Sequence, residues 1–375
     1  MIPVTPRGFK DILPEEARWR ESITIGVQKV LSSWGYAPIE TPTLEVLEVL
    51  EQGGQLTKTP FRLFDADGTL LVLRPDVTLP IARKVASRLE NITKPLRFRY
   101  VQSVFREEES LRAQSREFTQ IGVESIGLSG AAADAEVILL LVEALKACGL
   151  KEFTVAFCTV GVLRDLLDAC LREGSVDDSW RSTVLAACHE NNLVAVKRLA
   201  NDARVEARYA TALRGLLEVR GGRGAIEACR QLVEPLGCVD GLDVLAQTYD
   251  IIDQLGASDH VTVDFSVMSA FDYYTGLVFE AYAPGLGVPL GSGGRYDRML
   301  ESYGASAPAA GFAFGLERVM HALLEQEVDV DAIAGSSGID EVILDKADPI
   351  AAFRRAAELR CQGKPAVLAT AREEC

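Results

Sequence analysis

The chain lacks a long apolar segment. Of its 375 residues 48% are hydrophobic, but no run approaches the roughly 18 apolar residues of a membrane-spanning helix. The longest candidate, residues 137–145, is short and contains Glu143. The N-terminal sequence MIPVTPRGFKD has no apolar stretch after a basic start, so no secretory signal is expected. These features predict a globular protein of the cytoplasm rather than of a membrane.

Metal ligands and surplus basic residues are also scarce. The eight cysteines are scattered without a C-x-x-C pair, and the chain has three histidines. This pattern predicts no metal site and no cofactor, and it favours a reducing compartment. The formal net charge is −15, whereas a protein that holds a polyanion concentrates Lys and Arg. Nucleic acid is therefore a poor first candidate for a partner.

A hairpin is predicted over Phe105–Glu124, which reads FREEESLRAQSREFTQIGVE. An apolar run leads into a charged loop and returns as an apolar–polar alternation, the pattern of two paired strands. Arg106 stands at one end, and the even spacing of Gln120 and Glu124 places both side chains on one face. A cation and two carbonyl-bearing side chains suit a zwitterionic ligand. A solvated hairpin with an ordinary surface ion pair explains the same residues.

A second polar pair precedes a helix. Residues 63–73 predict a hairpin with an Asp-Gly turn, and the next residues, Arg74-Pro75-Asp76-Val77-Thr78, lead into a helix predicted over 79–89. Asp76 and Thr78 stand at the start of that helix. They either cap it or face the ammonium group of a ligand.

The length favours two or three domains. Residues 161–255 are rich in Ala, Leu, Arg and Glu at helical spacing, which predicts an inserted helical subdomain. The tail, residues 326–375, predicts a β-α-β segment with little room for a core of its own. Between them, Arg318 lies in the first turns of a helix, where it either pairs with Glu317 or Glu325 at the surface or contacts a phosphate.

Five stretches in order resemble the core of class II aminoacyl-tRNA synthetases, specifically histidyl-tRNA synthetase. GYAPIETPTLE (35–45), the hairpin at 105–124 and GFAFGLER (311–318) resemble motifs 1, 2 and 3. FDYYTGLVFE (271–280) and GSGGRYD (291–297) resemble the two histidine-specific motifs. The resemblance covers residues 1–325, interrupted by the insertion at 161–255. It implies an α+β fold with an antiparallel sheet flanked by helices, followed by the small α/β segment at 326–375.

The resemblance also implies a histidine site. The residues it assigns to that ligand are Asp76, Thr78, Gln120, Glu124, Tyr273, Tyr274 and Tyr296. The first three would hold the amino group, and Glu124 and Tyr274 would contact the imidazole, because carboxylate and amide oxygens accept hydrogen bonds from N–H groups. Arg106 and Arg318 stand at the arginine positions common to the class and imply a residual anion site.

Three departures from the synthetase pattern argue against catalysis. The position of the catalytic arginine, three residues before Asp272, is Ser269, and removing such a cation costs orders of magnitude in rate. The motif 2 loop carries Glu107-Glu108-Glu109, which would repel a triphosphate or a tRNA acceptor stem. The tail of residues 326–375 is shorter than the family's anticodon-binding domain.

A synthetase-like core with these departures resembles the regulatory subunits of ATP phosphoribosyltransferase, which are paralogues of histidyl-tRNA synthetase. This resemblance implies a non-catalytic chain that is required for the first step of histidine biosynthesis and mediates feedback inhibition by histidine. It implies assembly with a short-form catalytic subunit in a hetero-octamer, self-association through the motif 1 region, and no tRNA or membrane partner. Arg106 and Arg318 keep open an alternative, a truncated synthetase-like enzyme that activates histidine with ATP. A stand-alone histidine sensor with another partner is a third hypothesis.

Overall fold

The structure is a computed structural model of the chain. It describes residues 5–54, 59–88, 95–107, 115–173, 176–190, 192–267, 274–334, 340–344 and 349–370. The chain divides into two compact units, Met1–Val328 and Asp329–Cys375.

The helices mostly follow the apolar spacing of the sequence. Their bounds are α1 Pro14–Ser33, α2 Leu47–Gln52, α3 Thr78–Arg88, α4 Ala131–Ala147, α5 Val160–Glu173, α6 Asp178–His189, α7 Leu193–Ala200, α8 Ala207–Leu216, α9 Arg223–Val233, α10 Leu242–Gln254, α11 Leu316–Glu325, α12 Val330–Ala334 and α13 Pro349–Cys361. Short 3-10 turns lie at 234–236, 258–260 and 299–303.

The strands form three sheets. Their bounds are β1 Ala37–Pro38, β2 Leu44–Val46, β3 Arg62–Phe64, β4 Leu70–Leu73, β5 Leu96–Phe105, β6 Glu117–Ile126, β7 Thr154–Thr159, β8 Arg220–Gly221, β9 Val261–Asp264, β10 Leu277–Tyr282, β11 Gly291–Arg295, β12 Ala309–Gly315, β13 Asp340–Leu344 and β14 Ala366–Thr370.

The main sheet has nine strands within the described residues, in the order β1-β5-β6-β12-β11-β10-β7-β9-β8. The prediction of an antiparallel sheet flanked by helices is confirmed for its centre, where β5 through β7 pair antiparallel. The edges differ: β1 pairs with β5, and β7 with β9, in parallel, so the sheet is mixed. The parallel pairs join strands that are separated in sequence by crossovers rather than by hairpins.

The long helix α1 forms where the sequence predicts it. Pro14 opens it with Glu15 and Glu16 in the first turn, which suits the exposed N–H groups and the helix dipole. Ile23, Val27 and Leu31 repeat at helical spacing and are fully buried. This helix packs against α4 and β5 and covers one face of the main sheet.

The strands that follow β1 in the sequence form a small three-stranded sheet. Its order is β2-β4-β3, with antiparallel pairing throughout. The predicted Asp-Gly hairpin at 63–73 is confirmed by the pairing of β3 with β4. Strand β4 leads directly into residues 74–77 and then into α3, so the small sheet sets where the first turn of α3 lies.

Residues 160–254 are mainly helical, as the composition and helical spacing of the sequence predict. The two-residue strand β8 also lies in this range and joins the main sheet. The boundaries of a separate insertion stay a prediction. No described helix is long and apolar enough to cross a membrane. The cysteines in the described ranges form no disulfide with one another.

The unit Asp329–Cys375 has the predicted β-α-β arrangement, preceded by the short helix α12. Strands β13 and β14 pair in parallel, and α13 forms the crossover connection that a parallel pair requires. Its core is small: Ala356, Leu359 and Ala366 are buried, and Val342 and Leu368 pack on them.

Candidate functional site

A cleft of about 110 Å³ opens over the central strands β6, β12 and β11. It brings together the described candidate residues of the histidine and anion sites. These are Asp76, Thr78, Arg106, Gln120, Glu124, Tyr274, Tyr296 and Arg318. They come from segments more than two hundred residues apart, so the fold assembles them.

Glu124 lies at the bottom of the cleft and is 2% exposed. Its Oε1 accepts a hydrogen bond of 2.8 Å from the Thr78 hydroxyl, while its buried Oε2 has no partner among the described residues. Burial raises the pKa of the Glu124 carboxyl well above its usual range; the Thr78 hydroxyl opposes this rise and the charge of Asp76 adds to it. The carboxyl therefore retains a proton, or takes a cationic partner, more readily than a solvated glutamate.

Asp76 caps α3 and also lines the cleft, so its proposed role toward a ligand ammonium stays a prediction. Its Oδ1 accepts a hydrogen bond from the Leu79 amide at 3.0 Å, which caps α3, and the side chain also lines the cleft. Burial raises the pKa of the Asp76 carboxyl, whereas the Leu79 amide and the Arg106 charge oppose the rise. Thr78 donates its hydroxyl hydrogen bond across the cleft to Glu124 rather than serving only the helix.

Gln120 lies on the same face of β6 as Glu124, as the even spacing predicts. Its buried Oε1 has no hydrogen-bond partner within the part of the chain that is described. Tyr274 and Tyr296 are buried at 6% and 4% exposure and line the same cleft. The site thus offers two buried acceptor oxygens, from Gln120 and Glu124, between aromatic walls.

Arg106 and Arg318 stand where the cleft meets a second, larger cavity of about 600 Å³. Arg106 donates to the Pro75 carbonyl at 3.0 Å and stacks over the Phe118 ring at 4.8 Å. Arg318 donates to the Pro289 carbonyl at 2.7 Å. These contacts orient both guanidinium groups toward the boundary of the two cavities, and Lys10 lines the larger one.

Several predicted positions lie outside the described residues. They are Tyr273 of the histidine site, Ser269 at the position of the synthetase arginine, and residues 108–114 of the acidic loop. Of that loop, Glu107 is described, and its carboxylate lies 3.4 Å from the Arg116 guanidinium.

Two features of the site are absent from the sequence-based predictions. Tyr100 of β5 is opposite Gly122 in the hairpin register, and burial followed by the Glu124 charge raises the pKa of its phenol. Gly311 lies under the acceptors, since a Cβ there would be 2.4 Å from Glu124 Oε2 and 3.1 Å from the Tyr296 hydroxyl. The alternation in the sequence predicts that Gln120, Gly122 and Glu124 share one face of the strand. The residue opposite Gly122 is known only from the strand register in the structure.

A buried ion pair holds the glycine-rich strand β11 in place. Arg295 is 6% exposed and donates to Asp134 of α4 through Nε at 2.8 Å and Nη2 at 2.5 Å. Its Nη1 donates to Asp297 and to the Leu128 carbonyl. Because Arg295 precedes Tyr296 directly, this network fixes the position of that tyrosine at the cleft.

The chemistry of the cleft suits a small ligand with several N–H groups. The buried oxygens of Gln120 and Glu124 need donors, and Asp76 adds a carboxylate for a cation. No cluster of three His, Cys, Asp or Glu side chains that could hold a metal ion occurs among the described residues. The arrangement is chemically compatible with a zwitterionic ligand, with two arginines beside it.

The fold and this site define a class II aminoacyl-tRNA synthetase-like protein of the histidyl type. A family model described as histidyl-tRNA synthetase matches residues 8–319. A histidyl-tRNA synthetase from Nostoc aligns with a TM-score of 0.82 at 21% identity, over 99% of this chain and 86% of that one. At that identity the likeness concerns the fold alone.

Nearer relatives are more specific. A curated relative from Moorella thermoacetica, named ATP phosphoribosyltransferase regulatory subunit, is 35% identical over 97% of this chain and 91% of its own. A Bacillus halodurans structure, titled ATP phosphoribosyltransferase regulatory subunit/histidyl-tRNA synthetase, aligns with a TM-score of 0.86 at 34% identity, over 99% and 93% of the two chains. The chain belongs to the family of ATP phosphoribosyltransferase regulatory subunits. This confirms the predicted family, a regulatory rather than catalytic class, and its place in histidine biosynthesis.

Proposed function

We propose that this chain binds free histidine in the cleft and transmits feedback inhibition to a separate catalytic subunit of ATP phosphoribosyltransferase. The observation that carries the proposal is the pair of buried acceptors, Gln120 Oε1 and Glu124 Oε2, for which the described residues supply no donor. Histidine has an ammonium group and a ring N–H at opposite ends. A buried acceptor without a donor costs about 1–3 kcal/mol, so a ligand that supplies both donors is favoured.

In this proposal each end of the ligand has its own set of contacts. Asp76, Thr78 and Gln120 receive the ammonium group near the start of α3. Glu124 and Tyr274 receive the imidazole at the bottom of the cleft, with Tyr273 and Tyr296 beside it. The raised pKa of Glu124 supports this assignment, because a carboxyl and an imidazole together share one proton at neutral pH.

The proposed assembly is a hetero-octamer with a short-form catalytic subunit, in the cytoplasm, with self-association through the motif 1 region at 35–45. Leu44 of β2 and Leu63 of β3 are exposed at 41% and 37% on one face of the small sheet beside that region, which supports burial against a second chain. The net charge of −15 and Glu107 at the start of the acidic loop support the absence of tRNA as a partner.

Reconstitution tests the regulatory role. The chain is mixed with a short-form catalytic subunit from the same source, and phosphoribosyl-ATP formation is measured with and without histidine. We expect activity to change on mixing and histidine to suppress it. The variant Glu124→Ala should keep the effect of mixing but require about 5- to 150-fold more histidine for suppression, since it removes an interaction of about 1–3 kcal/mol. The exposed Glu301→Gln serves as the matched control. No complex and no change of activity would refute the regulatory proposal.

A second candidate function is histidine activation with ATP by a truncated synthetase-like enzyme. It is favoured by the position of Arg106 and Arg318 between the cleft and the larger cavity, where an anion would lie beside bound histidine. Histidine-dependent ATP–pyrophosphate exchange by the purified chain would support it. Absence of exchange at high protein concentration would exclude it, and a change of histidine affinity on adding ATP would separately report the residual anion site.

A further inference from the structure

An ion pair joins β2 to α3, and neither of its side chains lines the cleft. Glu45 of β2 accepts from Arg83 Nη2 of α3 at 2.8 Å, and the side chains are 5% and 24% exposed. The Arg83 Nε is buried and has no hydrogen-bond partner among the described residues. A carboxylate as deeply buried as that of Glu45 requires a partner, and this ion pair sets where the Arg83 guanidinium lies.

Arg83 follows Asp76 by seven residues, and α3 begins between them at Thr78. Seven residues are two helical turns, or about 10 Å along the axis, and a helical side chain points back toward the N-terminus. A long arginine side chain can therefore reach the Asp76 carboxylate. Burial raises the pKa of the Tyr303 phenol to about 12, the charges of Asp76 and Glu45 add to the rise, and the Arg83 charge opposes it.

We propose that Glu45 is a positioning residue that holds the Arg83 guanidinium away from Asp76 and so leaves Asp76 for the ammonium group of the ligand. The inference rests on the proposed binding of histidine in the cleft. Without the Glu45 charge, the partly exposed Arg83 loses its carboxylate partner, and the length of its side chain allows it to reach toward Asp76. Arg83 then competes with the ammonium group for the same oxygens.

The same pair links the cleft to the small sheet. Glu45 points inward from β2, whereas its neighbour Leu44 is 41% exposed on the opposite face, as alternation along a strand requires. A chain that packs on Leu44 would contact β2, the strand that also contains Glu45. A shift of β2 would then alter how firmly Arg83 is held and, through Arg83, the affinity of the cleft for histidine.

Calorimetric titration of histidine into four proteins tests the inference: wild type, Glu45→Gln, Arg83→Met and the double variant. We expect Glu45→Gln to bind about 3- to 30-fold more weakly. Arg83→Met and the double variant should bind within about twofold of wild type or more tightly, because neither contains the competing cation. The exposed Glu48→Gln on α2 is the matched control and should bind like wild type.

The opposite pattern has a distinct meaning. If the pair merely clamps β2 to α3, Arg83→Met and the double variant will bind as weakly as Glu45→Gln, and the inference is wrong. Should Glu45→Gln not fold, weak binding by Arg83→Met alone overturns it, and wild-type affinity in that variant supports it. Equal binding by wild type and Glu45→Gln overturns only this inference. Absence of binding by wild type overturns the histidine proposal and this inference with it.

Discussion

The buried carboxyl of Glu124 predicts a specific pH dependence of stability in the absence of ligand. Its pKa is raised in the folded protein above the value of about 4.3 expected for an unfolded chain. Well below pH 4 both states are protonated at this residue and the folded state carries no penalty. As the pH rises toward the folded pKa, the unfolded state releases the proton and the folded state does not. Stability therefore falls with pH across this window.

The magnitude follows from the linkage relation. One proton held by the folded state alone lowers the free energy of unfolding by about 1.4 kcal/mol for each pH unit. Between pH 5 and pH 7 the loss reaches at most about 3 kcal/mol from this residue. Glu124→Gln has the same size and no charge at any pH, so it lacks this loss. The difference in stability, Gln variant minus wild type, should increase with pH.

Urea unfolding of the histidine-free proteins at pH 5, 6 and 7 measures the effect. We expect the advantage of Glu124→Gln to increase by about 1–3 kcal/mol from pH 5 to pH 7, while the exposed Glu301→Gln follows wild type. A Glu124→Gln difference that is constant with pH would refute the reasoning, because it would mean that the carboxyl ionises as readily in the folded protein as in water. Burial also raises the pKa of Asp76, and because its charge acts on Glu124, the measured difference includes the interaction between the two carboxyls.

Three further predictions concern the walls of the cleft. Asp134→Asn should lower the free energy of unfolding by about 3 kcal/mol, because among the described residues it leaves the buried Arg295 with Asp297 as its carboxylate partner. Urea unfolding measures this change, and a loss below about 1 kcal/mol would contradict a structural role. Gln120→Ala should weaken histidine binding by about 1–3 kcal/mol in calorimetry, whereas the exposed Gln254→Ala should not change it. Gly311→Ala should abolish histidine binding and lower the unfolding temperature, because its Cβ would lie 2.3 Å from the Val123 carbonyl; normal binding would show that the strands can separate there.

Much of the fold was predictable because the signals are local. The apolar spacing at Ile23, Val27 and Leu31 specifies a helix whatever it packs on, and the Asp-Gly turn specifies the β3–β4 hairpin. Motif order allowed the cleft residues to be named in advance from a resemblance. The parallel edges of the main sheet were not predictable in this way, since β7 and β9 pair across about a hundred intervening residues.

The sequence alone determined the elements, the even spacing of Gln120 and Glu124, and the family to which the chain belongs. The tertiary structure alone decided that Tyr100 lies opposite Gly122, that Glu45 pairs with Arg83, and that Glu124 is buried with one oxygen that has no partner among the described residues. The physical reason is the distance along the chain between the residues that interact. Secondary structure depends on residues a few positions apart, whereas register, burial and the pKa shifts that follow from burial depend on which distant segments pack together.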